Sequence, residues 1–350
     1  MTLDALSAPS AGSTWLTPGA VIPAHPLALH PDDTVDWVSQ RALSRYYVDA
    51  GAHGLAVGVH TTQFALHEDA ALLADVWAQS AEIARGAGRE IRLIAGVRGT
   101  RTVAQREADV AASLGYGAAL LSPAPGASDA DILEMARAVG EVLPAIGFYM
   151  QDDVGGRYLG EEFWRALFEL PTVIGVKIAA FDRYRTGDVI RALLESGRTD
   201  IALLTGNDDS IVGDLATTYR GDVGGEDRSV GFVGGLLGQW AVGTRAAVDV
   251  SARVALAQQA GTVDSDILTA GTWITEINGA LFDVRNSFAG CVAGVNELLR
   301  QQGIVRTAHC LDPLDRLSPG QQEAIEDMRH RYPDLLDEDF IAENVDRWRS

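Results

Sequence analysis

The sequence contains a single lysine. Of its 28 Lys plus Arg residues, 27 (28 − 1) are arginine, and only Lys177 is not. Arginine replaces lysine as a solvated charge but not as a nucleophile, because its guanidinium stays protonated. Lys177 lies in the aliphatic run 173–180 (VIGVKIAA). An ammonium in such surroundings is desolvated, which lowers its pKa. The neutral amine can then attack a carbonyl carbon and form a Schiff base. A lysine at a strand end ordinarily snorkels to water or pairs with a carboxylate. Arginine would serve either purpose, so the composition points to the nucleophile. Tyr149 ends the run 145–150 (AIGFYM), 28 residues before Lys177. Alone it reads as a core tyrosine with its hydroxyl bonded to backbone. One structural unit away from an amine, it reads as a phenol that moves protons during imine formation and C–C cleavage.

These two residues need a scaffold that brings successive strand ends together. Short apolar runs recur at 19–23, 54–59, 91–96, 117–122, 145–150, 173–178, 200–205 and 229–233. They are rich in Val, Ile and Leu and lack clean alternation, as parallel strands buried on both faces do. Amphipathic stretches separate them, at 33–50, 67–85, 102–114, 129–143 and 160–170, with Asp33 and Asp129 as expected N-caps. Eight such units predict a (β/α)8 TIM barrel with a C-terminal helical extension. In that fold the C-terminal ends of the strands carry the active site, and Lys177 sits near the end of the sixth. A doubly wound nucleotide fold is disfavoured, because no G-x-G-x-x-G follows a strand and no P-loop lysine exists. The expected division is a loose arm over 1–18, the barrel over 19–250, and helices and tail over 251–350, with a helix near 319–331.

Composition narrows the partners. The formal charge is −20 (28 − 48) and the pI about 4.6, which disfavours nucleic acid and anionic membranes. Residues 1–17 lack the basic and apolar regions of a signal peptide, and a cytoplasmic protein is expected. Two cysteines and scattered histidines give no metal-ligand spacing, so no metal and no cofactor are expected.

With these residues in place, the chain resembles the dihydrodipicolinate synthase / N-acetylneuraminate lyase family of class I aldolases. The resemblance rests on Gly175 and Lys177 in VIGVKI, on the Tyr149-to-Lys177 spacing, and on 49–55 (DAGAHGL), 94–99 (IAGVRG) and 203–209 (LLTGNDD). It implies a barrel of this type, usually a homotetramer, that acts on pyruvate or another 2-oxo acid through a lysine imine. Two motifs depart from the family. Where it usually shows Gly-Thr-Thr-Gly-Glu, this chain reads GVHTTQF over 58–64; where synthases carry Thr-Pro-Tyr-Tyr, it reads SPAP over 122–125. The carboxylate-binding positions then fall on Val59, His60 and Thr61. Asn207 and Asp208 resemble the Gly-x-Asp-Glu with which sugar-acid lyases hold hydroxyls, while Asp208 or Asp209 could equally cap a helix. Gly231, in 231–235 (GFVGG), leaves backbone free to approach a ligand. The expected function is a Schiff-base lyase with Lys177 and Tyr149 as catalytic residues. A dehydratase of hydroxylated 2-oxo acids and a catalytically silent binding protein are the alternatives.

Overall fold

The computed structural model describes residues 15–350. Most of the arm expected over 1–18 lies outside the described residues. Strands β1 (Ala20–Pro23), β2 (Gly54–Val57), β3 (Arg92–Gly99), β4 (Ala118–Pro123), β5 (Ala145–Met150), β6 (Val173–Ala179) and β7 (Ala202–Thr205) overlie the first seven apolar runs. Two further strands follow, β8 (Thr218–Val223) and β9 (Glu226–Leu237). The barrel order is β1-β9-β7-β6-β5-β4-β3-β2, and a parallel bridge from Ala24 to Ala56 joins β1 to β2. The (β/α)8 barrel is therefore present. Its eighth strand is the second half of β9, because the first half pairs antiparallel with β8 across a Gly224–Gly225 turn. Both glycines have positive φ (64° and 90°), as a tight two-residue hairpin demands.

Helices α1 (Trp37–Asp49), α2 (Ala70–Arg85), α3 (Arg101–Ser113), α4 (Asp129–Gly140), α5 (Glu161–Phe168), α6 (Arg183–Ser196) and α7 (Ile211–Ala216) fill the crossovers. Two caps differ from expectation. Asp36 rather than Asp33 caps α1, accepting from the Val38 and Ser39 amides, and Asp33 sits in the preceding turn at φ 67°. Ser128 caps α4 in a reciprocal box with Asp131, which leaves Asp129 as the first helical residue. Helix α8 (Thr244–Ala260) completes the eighth unit, so the boundary expected at 250 falls inside a barrel helix. Helices α9 (Ser265–Leu281), α10 (Cys291–Gln301), α11 (Gln321–Arg331) and α12 (Glu338–Arg349) form the extension.

The core has two layers. Inside the barrel, small residues such as Ala20, Ala56, Ala118 and Ala202 pack with Ile22, Ile94, Leu120 and Leu236; Leu16 joins them. Between strands and helices the residues are large, including Trp77, Trp164, Tyr46, Tyr47 and Phe168. Each such side chain contributes roughly 1.5–3 kcal/mol on burial. One irregularity matters for the site. Ala145 of β5 lies opposite Val173, but Ile146 lies opposite Gly175, so Ile174 is an extra, bulged residue. Beyond it the β5–β6 spacing is 29 rather than 28, and Phe148, not Tyr149, faces Lys177. A shift of one residue moves a side chain to the other face of a sheet.

The extension is tied back by a buried cluster. The Asp337 carboxylate accepts from the Tyr46 hydroxyl (2.6 Å) and from the Arg245 and Ala246 amides (2.7 and 2.9 Å), at the start of α8. The Tyr46 oxygen accepts in turn from the Thr244 amide (3.0 Å), and Trp348 of α12 packs on the Tyr46 ring at 5.3 Å.

Candidate active site

The parallel arrangement puts every barrel strand's C-terminal end on one rim. A cleft of about 540 Å³, its mouth included, opens there around Lys177. Lys177 is 7% exposed. Its Nζ stands 4.5 Å from the centroid of the Phe148 ring and has no hydrogen bond or ion pair with any described residue. The side chain lies across Gly206, where a Cβ would come within 2.7 Å of the lysine Cε. Glycine is therefore required at the end of β7 for the lysine to adopt this course.

Burial sets the electrostatics. It lowers the Lys177 pKa, and the negative charge of Asp208 only partly restores it. It raises the Asp208 carboxyl well above the usual carboxylate range, against the pull of Lys177 and of the Gln239 amide, which donates to Oδ1 at 3.3 Å. Burial, together with the nearby charges of Lys177 and Arg98, lowers His60 to about 4. Burial also pushes the Cys291 thiol far up, which keeps it from acting as a thiolate. The cleft thus holds an amine inclined to lose a proton and a carboxylate inclined to hold one.

Five of the residues expected at the site line this cleft: Val59, His60, Thr61, Lys177 and Asp208. Three others are placed elsewhere. Tyr149 points outward because of the bulge; it is fully buried in the helix–strand layer against Trp164, with ring centroids 5.4 Å apart. Asn207 uses its amide inside the scaffold. Its Oδ1 accepts from the Phe181 amide (3.0 Å), and its Nδ2 donates to Asp214 (2.9 Å) and Thr186 (3.3 Å). It holds the loop after β6 rather than reaching the cleft. Gly231 lies opposite Thr218 in the hairpin, at the other end of the barrel, because β9 runs on to Leu237. Gly238, just after β9, lines the cleft instead, as Gly206 does after β7.

Several lining residues were not legible as site residues. Phe148 and Met150 follow from the shifted register of β5, and Gln151 lies just beyond the strand end. Gln151 is 7% exposed, and its Nε2 is buried without a partner. Phe282 and Phe288 come from the turn between α9 and α10, which the extension folds over the rim, and Cys291 is the first residue of α10. Phe181 and Phe288 meet edge to face at 5.4 Å, and both have left-handed backbones, at φ 51° and 62°. Bulky residues rarely adopt this conformation, and each instance costs about 1–3 kcal/mol. The Asp283 carboxylate supports the second turn, accepting from Asn286 Nδ2 (2.6 Å) and the Gly290 amide (3.2 Å).

Among the described residues no group of three or more His, Cys, Asp or Glu is placed to hold a metal ion, and no helix is long and apolar enough to cross a membrane. No protein-family model and no curated protein matches the sequence. Solved structures do match. Dihydrodipicolinate synthase from Oceanobacillus iheyensis superposes with a TM-score of 0.72 at 17% identity, over 91% of this chain and 97% of that one. The chloride-inhibited dihydrodipicolinate synthase from Acinetobacter baumannii, complexed with pyruvate, gives 0.71 at 22% identity, over 91% and 99%. N-acetylneuraminate lyase from Fusobacterium nucleatum gives 0.70 at 17%, over 91% and 99%. At these identities the likeness is one of fold: the chain has the barrel architecture of the dihydrodipicolinate synthases and of N-acetylneuraminate lyase.

Proposed function

We propose that this protein is a Schiff-base lyase of the dihydrodipicolinate synthase / N-acetylneuraminate lyase family, acting on a 2-oxo acid. The observation that carries the reading is the chain's single lysine, buried at the C-terminal end of β6 with its Nζ unpaired and facing the cleft. Pyruvate bound in a structure of the same fold supports the substrate class. The neutral Lys177 amine adds to the C2 carbonyl, the proton held by Asp208 passes to the carbinolamine hydroxyl, water leaves, and a cationic iminium forms beside the Asp208 carboxylate. The Phe148 face, 4.5 Å from Nζ, stabilises that cation. Thr61 and His60 hold the substrate carboxylate. Asp208 takes the proton of the C4 hydroxyl, the C3–C4 electron pair moves to the imine nitrogen, and an aldehyde departs. The remaining enamine takes a proton at C3, and hydrolysis releases pyruvate and restores the amine. Asp208 thus fills the proton-transfer role first expected of Tyr149.

The test is to incubate the protein with pyruvate, reduce with borohydride, and weigh it intact. One adduct is expected, and peptide mapping separates Lys177 from the α-amine. Absence of an adduct across a panel of 2-oxo acids overturns the reading, as does a Lys177→Arg variant that still turns over substrate. With hydroxylated 2-oxo acids, pyruvate plus an aldehyde marks the lyase; loss of water alone marks a dehydratase using the same imine.

A further inference from the structure

We propose that the part of the substrate beyond C4 is a flat apolar group, so that the cleaved species is a 4-hydroxy-2-oxo acid bearing an aryl substituent and the released aldehyde is aromatic. The proposal rests on the imine reading above and adds the substrate class. Its first support is the shortage of polar groups. The cleft side chains able to hydrogen-bond a substrate strongly are His60, Thr61, Gln151, Lys177 and Asp208, and the Cys291 thiol is only a weak donor. The imine, the proton transfer and the carboxylate occupy all but Gln151. A polyhydroxylated tail needs a donor or acceptor for each hydroxyl, and one amide cannot supply them. A single aldehyde oxygen is matched by the buried, unpartnered Gln151 Nε2.

The second support is the wall itself. Phe148, Met150, Phe181, Phe282 and Phe288 surround the lysine. Phe181 and Phe288 are held in left-handed backbones, an arrangement with a folding cost that places both rings on the cleft wall. Aromatic faces and edges at these spacings suit another planar ring.

The third support is a second cavity. A pocket of about 490 Å³, its opening to solvent included, shares Phe148 and Met150 with the cleft, and Pro123, Ala124, Pro125, Leu159 and the edge residue Arg157 also line it. This is the SPAP segment at the end of β4. Its small and cyclic side chains put little bulk on the far side of Phe148 and Met150.

The experiment runs in the synthetic direction on the full chain. The protein receives pyruvate and one of three acceptors: benzaldehyde, 2-naphthaldehyde or glyceraldehyde. Carbon and charge balance without an oxidant, because the enamine C3 adds to the aldehyde carbon and the new alkoxide takes a proton. The expected result is a kcat/KM for benzaldehyde at least tenfold above that for glyceraldehyde. An Ala124→Phe variant, which fills the second pocket, should shift the preference at least tenfold from naphthaldehyde toward benzaldehyde. A Phe288→Ala variant should raise KM for both aryl acceptors. If borohydride traps pyruvate on Lys177 but glyceraldehyde is used as well as or better than benzaldehyde, the substrate class is overturned while the imine stands. If nothing is trapped, both fall together.

Discussion

Asp208 and Asp337 are both buried carboxylates, and their surroundings could hardly differ more. Asp337 accepts from a tyrosine hydroxyl and two backbone amides, and burial still raises it to about 6. Asp208 has one long bond, from the Gln239 amide, and shares its cavity with an amine that has no partner. A polar group buried with a full set of partners contributes to stability, whereas one buried without them costs free energy. The C-terminal cluster closes the fold. The rim keeps unsatisfied groups whose missing partners a substrate can supply. Function is therefore to be sought where burial and incomplete pairing coincide.

Four changes break or sharpen that contrast. Lys177→Met should lower pyruvate-releasing activity by at least about a thousandfold, since the cleft holds no other amine to form the imine. Its melting temperature should equal or exceed the parent's, because a buried amine without a hydrogen-bond partner is replaced by an apolar side chain. A fall of several degrees would contradict the contrast. Asp208→Asn should reduce turnover by roughly 10²–10⁴-fold, the usual reach of general acid–base catalysis, again without loss of stability; borohydride trapping of pyruvate should persist. Asp337→Ala should do the reverse. It strands three donors and should cost about 3 kcal/mol in urea unfolding, while specific activity of the folded fraction holds. If activity fell and stability did not, the two regions would have exchanged roles.

The smallest effect concerns His25, fully buried, with its ring nitrogens on Ser44 Oγ and the Pro26 carbonyl at 2.8 Å. Burial lowers its pKa from 6.5 to about 4. The folded state thus binds fewer protons between these values. The stability it contributes is present above 6.5 and lost as pH falls toward 4. Between pH 7.5 and 5 the loss is about 2 kcal/mol. His25→Gln should flatten the pH dependence of the urea midpoint over that interval, and parallel curves for parent and variant would count against the assignment.

The barrel was readable in the sequence because each strand announces itself locally, by a short apolar run between turn residues. Lys177 was readable because composition singled it out. Tyr149 was not, because the face a strand residue takes depends on its register with a neighbour, and the bulge at Ile174 sets that register. Nothing in 145–150 distinguishes Phe148 from Tyr149 as the inward residue. Asn207 and Asp208 are adjacent and chemically alike, and only the surrounding hydrogen bonds divide them into a loop anchor and a cleft carboxylate. Gly231 was misplaced because a hairpin lengthens the last strand beyond its apolar centre. The aromatic roof from Phe282 and Phe288 reaches the cleft through tertiary packing of the extension, which leaves no mark on local pattern.

The lone lysine also makes this protein unusually easy to watch. Growth on lysine carrying ¹³C at the ε carbon places the label at one site in the chain. A spectrum of the labelled protein contains one lysine resonance, whose chemical shift reports the protonation of that amine directly. Titrating it in the parent and in Asp208→Asn reads the coupling between the two groups without any substrate, and adding a 2-oxo acid shows the nitrogen changing its bonding in real time.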